Sequence, residues 1–166
     1  MGLIVTNLNS LSAIAATILI FSYSVPLSAQ EYGRYCNSRF GFCVEYPMHF
    51  GIEPAPENND GRRFYDRNGF TMTVSGINNA LNNTLQSEMQ SQSRDFDDVT
   101  YHSIGDNWYV LSGYKDTHIL YLKTYMGGGS INHLYIKYPA QLKAEYDEII
   151  TRVSRSFLPG RIEDAH

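Results

Sequence analysis

The sequence is poor in the residues and motifs that mark several common classes of protein. Its 13 Lys and Arg are outnumbered by 17 Asp and Glu, which gives a net charge of −4. Nucleic-acid binding normally needs a basic excess, so this balance argues against it. No P-loop or dinucleotide-binding glycine pattern occurs, because the glycines at 127–129 precede a strand pattern and not a helix. We therefore predict no cofactor and no nucleic-acid partner.

The first 30 residues lack any ionisable side chain. Residues 11–25 (LSAIAATILIFSYSV) are mostly apolar, and a proline and small residues follow them as far as Ala29. This order predicts a signal peptide over residues 1–29, with cleavage after Ala29 and export to the periplasm or the medium. The alternative is a retained anchor, but a membrane span needs about 20 apolar residues and polar residues interrupt this stretch. We expect no membrane span after cleavage, and a single domain over residues 30–166.

The only two cysteines, Cys36 and Cys43, lie seven positions apart at the start of that domain. In an oxidising compartment, an even number of cysteines predicts one local disulfide. Zinc would need further ligand pairs, and none is spaced correctly. We therefore predict a disulfide and no metal site.

Alternating apolar residues predict a series of strands. One lies around residues 42–46, and residues 62–65 and 70–75 form a hairpin about an Asn-Gly turn. Four more follow at 99–104, 108–114, 119–126 and 131–138. Their short connections predict an antiparallel arrangement.

Two helices accompany these strands. The first lies within the polar run of residues 78–94, where leucine and methionine recur at four-residue intervals, with Asn83 or Thr84 as an early cap candidate. The second follows Pro139 and carries an apolar stripe that ends at Phe157. The fold class predicted is α+β, an antiparallel sheet packed against helices.

The residues that could carry catalysis are scattered. Ser112 lacks the leading glycine of a nucleophile elbow, and the five histidines show no metal-ligand spacing. If the turn centred near Gly128 joins the last two predicted strands, His133 lies opposite roughly Lys123 and His118 opposite roughly Tyr138, so the two histidines are several residues apart along the sheet. The acidic run Asp95, Asp97 and Asp98 is typical of a solvated turn, although paired carboxylates can also act as acid and base.

Tyrosine is the one residue type in clear excess. Residues 30–166 contain twelve tyrosines and one tryptophan, mostly in the predicted strands. Such side chains suit a half-buried sheet or a recognition surface. The segment around Trp108, Tyr109 and Tyr114 is our candidate binding surface.

The strand patterns resemble those of small exported bacterial proteins of the PsbP-like fold family. The resemblance spans residues 32–158 and depends on packing motifs such as Tyr46-Pro47, the Trp108–Tyr114 strand and Tyr138-Pro139. It implies an antiparallel sheet between helices, an α/β/α sandwich. It also implies a binding or assembly module, and no functional residue of the family matches this chain.

Our leading hypothesis is an exported domain without catalytic activity, which binds a protein partner or small ligand in the cell envelope. One alternative is a periplasmic immunity protein against a secreted toxin. Another is an enzyme whose residues converge only in three dimensions, for instance at the acidic run.

Overall fold

A computed structural model describes residues 30–163, and the predicted signal peptide lies outside this range. The chain forms nine strands, two α-helices and one 3-10 turn, Ala140–Leu142. The elements, in chain order, are β1 (Tyr32–Cys36), β2 (Cys43–Pro47), β3 (Gly51–Ile52), β4 (Gly61–Tyr65), β5 (Thr71–Asn78), α1 (Leu85–Ser93), β6 (Asp98–Ile104), β7 (Trp108–Lys115), β8 (His118–Met126), β9 (Ser130–Pro139) and α2 (Lys143–Ser156). None of the helices in this part of the chain is long and apolar enough to cross a membrane.

The sheet is antiparallel throughout. Seven strands follow the order β3-β4-β5-β9-β8-β7-β6, and β1 and β2 form a separate two-stranded sheet. The α+β class predicted from the sequence is confirmed. The long strands β7, β8 and β9 agree with the prediction to within one residue at nearly every end, because each is bounded by glycine or polar turn residues.

Two separate apolar cores lie against the seven-stranded sheet. The larger contains Met72, Leu134 and Ile136 from the sheet, with Tyr146 and Val153 from α2. The strands β1 and β2 pack on the same core. Because neighbouring residues in a strand point to opposite faces, a smaller core forms on the other face. It contains Tyr109, Leu111, Leu120 and Leu122, and Leu85 and Met89 of α1 pack against it.

Cys36 and Cys43 are paired across β1 and β2 and form the predicted disulfide. Their Cα atoms are 4.1 Å apart. Strand β1 itself was not predicted, because its five residues include glycine and arginine and show no apolar alternation. The disulfide and the packing of its tyrosines keep this short strand in place.

The structure makes two predictions about local structure more exact. The first helix spans Leu85–Ser93, and Thr84, one of the two predicted caps, is confirmed, because its side chain accepts a hydrogen bond from the Ser87 N–H. The histidine pairing differs by one residue from the approximate prediction, so that His133 faces Thr124 and His118 faces Pro139. The turn has Gly128 and Gly129 at its tip, closed by a hydrogen bond from Gly127 N–H to Ser130 O. A shift of one residue moves a partner to the opposite face.

Candidate functional site

Strand β7 divides the predicted binding surface between the two faces of the sheet. Trp108 and Tyr114 lie on the face that α2 partly covers, and Tyr114 is 41% exposed. Tyr109 lies on the other face, where it is fully buried in the smaller core. Including Tyr109 in the surface was therefore wrong, because consecutive strand residues cannot share a face.

A groove runs along the sheet face that contains Trp108 and Tyr114, between strand β6 and helix α2. It consists of two adjoining hollows of about 400 and 390 Å³, which share Tyr121 in their lining. Trp108 and Tyr101 line the first hollow, and Tyr114 lines the second. The structure thus joins Trp108 and Tyr114 with tyrosines of β6 and β8 that the sequence did not indicate as part of the surface.

The wall of the groove is held by contacts between β8 and α2. The Tyr121 hydroxyl and the Ser154 hydroxyl share a short hydrogen bond. The Lys123 ammonium donates to the Ser154 carbonyl at 2.8 Å and lies 5.1 Å from the centre of the Tyr125 ring. The lysine charge is therefore engaged by the wall and by a cation–π contact.

At the turn between β6 and β7, Gly105 makes room for the tryptophan. A Cβ atom at this position would lie 2.2 Å from Trp108 Nε1. The indole therefore lies directly over the backbone of the turn, and any larger residue would displace it. This packing positions Trp108 at one end of the groove.

The groove is lined by aromatic and hydroxyl groups together with Lys123 and the ion pair of Lys143 and Asp147. Burial raises the pKa of Tyr121, and that of Tyr138 is raised to about 12, mainly by burial and also by Asp147. These phenols therefore stay protonated at physiological pH. They provide hydrogen-bonding hydroxyls and ring faces for contact, and Ser112 contributes a further hydroxyl.

No protein-family model matches the sequence, and no curated protein matches it. Among solved structures, the solution structure of cyanobacterial PsbP (CyanoP) from Synechocystis sp. PCC 6803 superimposes with a TM-score of 0.61. The match covers 81% of this chain and 95% of that one, with 12% sequence identity. The chain has the PsbP-like fold. At this identity the match establishes the architecture and says nothing of the activity.

Within the PsbP-like fold, a polar cluster lies beneath α1. Glu88 is only 5% exposed, and its carboxylate accepts hydrogen bonds from the Asn83 and Gln92 side chains, each at 3.0 Å. His133 Nε2 lies 3.9 Å from the carboxylate, and its Nδ1 is 2.9 Å from the Thr124 hydroxyl. Burial lowers the pKa of His133, opposed by the charge of Glu88. The cluster connects α1 to the sheet. No sequence pattern indicated it, because its members come from three separate elements.

The acidic run lies on the surface just before and at the start of β6, and Asp98 is paired with Tyr114 of β7. Asp95, Asp97 and Asp98 are exposed, and the Asp97 carboxylate accepts the Asp116 backbone N–H at 2.7 Å. Asp97 thus supports the turn between β7 and β8. Within residues 30–163, no group of three His, Cys, Asp or Glu side chains is arranged to hold a metal ion.

A hollow of about 740 Å³ lies between the β4–β5 turn and α2. Its lining includes His49 and Arg67. At its edge, the Tyr146 hydroxyl donates a hydrogen bond to the Asp66 carboxylate. Asp66 also accepts the N–H groups of Asn68 and Phe70, so this carboxylate organises the turn. Its hydrogen bonds thus have a structural role at the hairpin.

Proposed function

We propose that the protein is an exported binding domain without catalytic activity, and that it holds a protein partner or small ligand of the cell envelope in the groove. The observation that carries this proposal is the set of aromatic side chains that three adjacent strands present on one open face. These are Tyr101 of β6, Trp108 and Tyr114 of β7, and Tyr121 and Tyr125 of β8.

Energetic considerations favour contact over reaction at this surface. Tyrosine and tryptophan provide large, stiff contact areas at a low cost in conformational entropy, and they dominate the binding energy of many interfaces. Tyr101 is 56% exposed and so has most of its surface available to a ligand. The two cationic groups at the groove are already engaged, Lys123 with the Ser154 carbonyl and Lys143 with the Asp147 carboxylate.

Export is the second part of the proposal. The uncharged apolar leader supports it, as does the disulfide, since disulfides persist in oxidising compartments. In this proposal residues 1–29 are removed, and residues 30–166 form one α/β/α sandwich with α1 and α2 on opposite faces. Intact mass of the native protein tests this part: we expect a mature chain that begins at Gln30 and has no free thiol.

The binding proposal is tested by comparing two variants in the groove with one variant of an exposed tyrosine outside it. Tyr101→Ala and Trp108→Ala should each weaken capture of envelope components by the purified protein at least tenfold. Tyr65→Ala is the matched control, because Tyr65 is 42% exposed on β4, outside the groove. Equal capture by all three variants, with unchanged circular dichroism, would contradict a role for the groove.

A further inference from the structure

The two edges of the seven-stranded sheet differ greatly in length. One edge is β3, which has only two residues, and the other is β6, Asp98–Ile104, which has seven. Five residues of β6 are exposed, including Tyr101 and Ile104 at 56% and 44%. Natural sheets usually protect such an edge with lysine or proline, and β6 contains neither. A bulge between Val99 and Tyr101 limits the regular edge to the segment from Tyr101 onward.

The register of β6 and β7 shows which peptide groups of this edge are free. Gly105 N–H donates to Trp108 O at 2.8 Å, and this bond closes the hairpin. Hydrogen-bonded positions alternate along an antiparallel pair, so Ser103 and Tyr101 also direct their peptide groups toward β7. The peptide groups of His102 and Ile104 consequently point outward, at the spacing that another strand requires.

A strand added to this edge would border the groove. Tyr101 and Ser103 pair with Ser112 and Val110, so their side chains lie on the face that contains the groove. Alternate side chains of an added strand would lie beside Tyr101 on that same face. The edge of β6 would thus hydrogen-bond to the backbone of the added strand, and the groove would contact its side chains. β-Strand addition in other proteins divides recognition in this way.

The charge around the edge favours a basic occupant. Asp97 and Asp98 lie at the start of β6 and Asp106 follows its end, and all three are exposed. Pairing of β6 with a second copy of this chain would bring the same carboxylates together at the interface, where they would repel each other. Lysine or arginine residues in an incoming segment would instead be attracted to them.

We propose that β6 accepts an extended, basic segment of a partner protein as an eighth strand, with alternate side chains of that segment in the groove. This inference rests on the proposed binding function and names the class of partner. The peptide groups of His102 and Ile104 would form the new ladder.

The test measures amide hydrogen exchange in the full chain with a capped nine-residue peptide of alternating lysine and valine. At millimolar peptide, we expect exchange of the His102 and Ile104 amides to slow at least tenfold. The Tyr101 and Ser103 amides, which already face β7, serve as internal controls and should not change. His102→Pro removes the outward N–H and should abolish the effect, whereas His102→Val keeps it and should not.

Four results would overturn the proposal. The first is unchanged exchange at His102 and Ile104 in the presence of the peptide. The second is equal protection by a peptide with glutamate in place of lysine. The third is protection that grows with protein concentration alone, which would assign the edge to a second copy. The fourth is a peptide response confined to Tyr101, Trp108 and Tyr121 without edge protection, which would leave the proposed function standing and refute the strand addition.

Discussion

Removal of the disulfide should cost a predictable amount of stability. The bond between Cys36 and Cys43 joins residues seven positions apart. For a closed loop of about 8 residues, the chain-entropy relation gives about 2.5 kcal/mol at 25 °C. Because the double variant Cys36→Ala, Cys43→Ala removes this constraint on the unfolded chain, we expect it to lose about this much free energy of unfolding.

Without the crosslink, local opening should increase most in the β1–β2 ribbon and in the part of the core that it covers. Tyr35 and Val44 of the ribbon pack on the larger core, and Leu158 is bonded to Cys43 through both backbone groups. Urea unfolding followed by circular dichroism measures the effect, with the oxidised chain as reference. The oxidised chain after reduction by dithiothreitol should match the double variant.

Two outcomes would refute this reasoning. If the reduced chain and the oxidised chain unfold at the same urea concentration, the crosslink does not constrain the unfolded state. If the double variant loses far more than the reduced chain, the side chains at these positions matter more than the bond. Exchange of the β1 amides then separates local fraying from global unfolding.

Three further predictions concern the groove and the cluster under α1. Gly105→Ala should displace the Trp108 indole and redden its fluorescence, at a cost of about 1 kcal/mol; an unchanged spectrum would show that the turn can adapt. Glu88→Ala should destabilise the fold by about 1–3 kcal/mol in urea, because two side-chain amides lose their acceptor; a change within error would contradict this. Burial lowers the pKa of His133 in the folded chain, so below about pH 6.5 the unfolded chain binds this proton more readily than the folded chain does. The free energy of unfolding should therefore fall as the pH drops through that range. His133→Gln should flatten that part of the pH profile, and a profile that keeps its slope would assign the effect elsewhere.

The elements that were predicted correctly are those with a strong local signal. Strand β8 is a run of β-favouring residues between polar turns, and α2 shows an apolar stripe after Pro139 with Phe157 at its end. The strands β1 and β3 were missed because one is five residues with glycine and arginine and the other only two residues. Such short segments become strands only because a partner strand is beside them.

Part of the candidate site was likewise predicted from the sequence, and part depends on contacts between strands. Trp108 and Tyr114 belong to the binding surface predicted from the sequence, and both line the groove. Tyr101 and Tyr121 join the groove only because the strand order places β6 and β8 on either side of β7. Alternation alone places Trp108 and Tyr109 on opposite faces, and the packing of α1 and Phe96 on one face decides that Tyr109 is buried.

By itself, the sequence determined the α+β class, the long strands and the position of the disulfide, because alternation, turn residues and cysteine number act over a few neighbouring residues. Tertiary structure decided the order of the strands, the one-residue register that sets His133 opposite Thr124, and the groove beside α2. These depend on contacts between residues far apart in the chain. Their energies exist only once the chain has folded, so no local pattern records them.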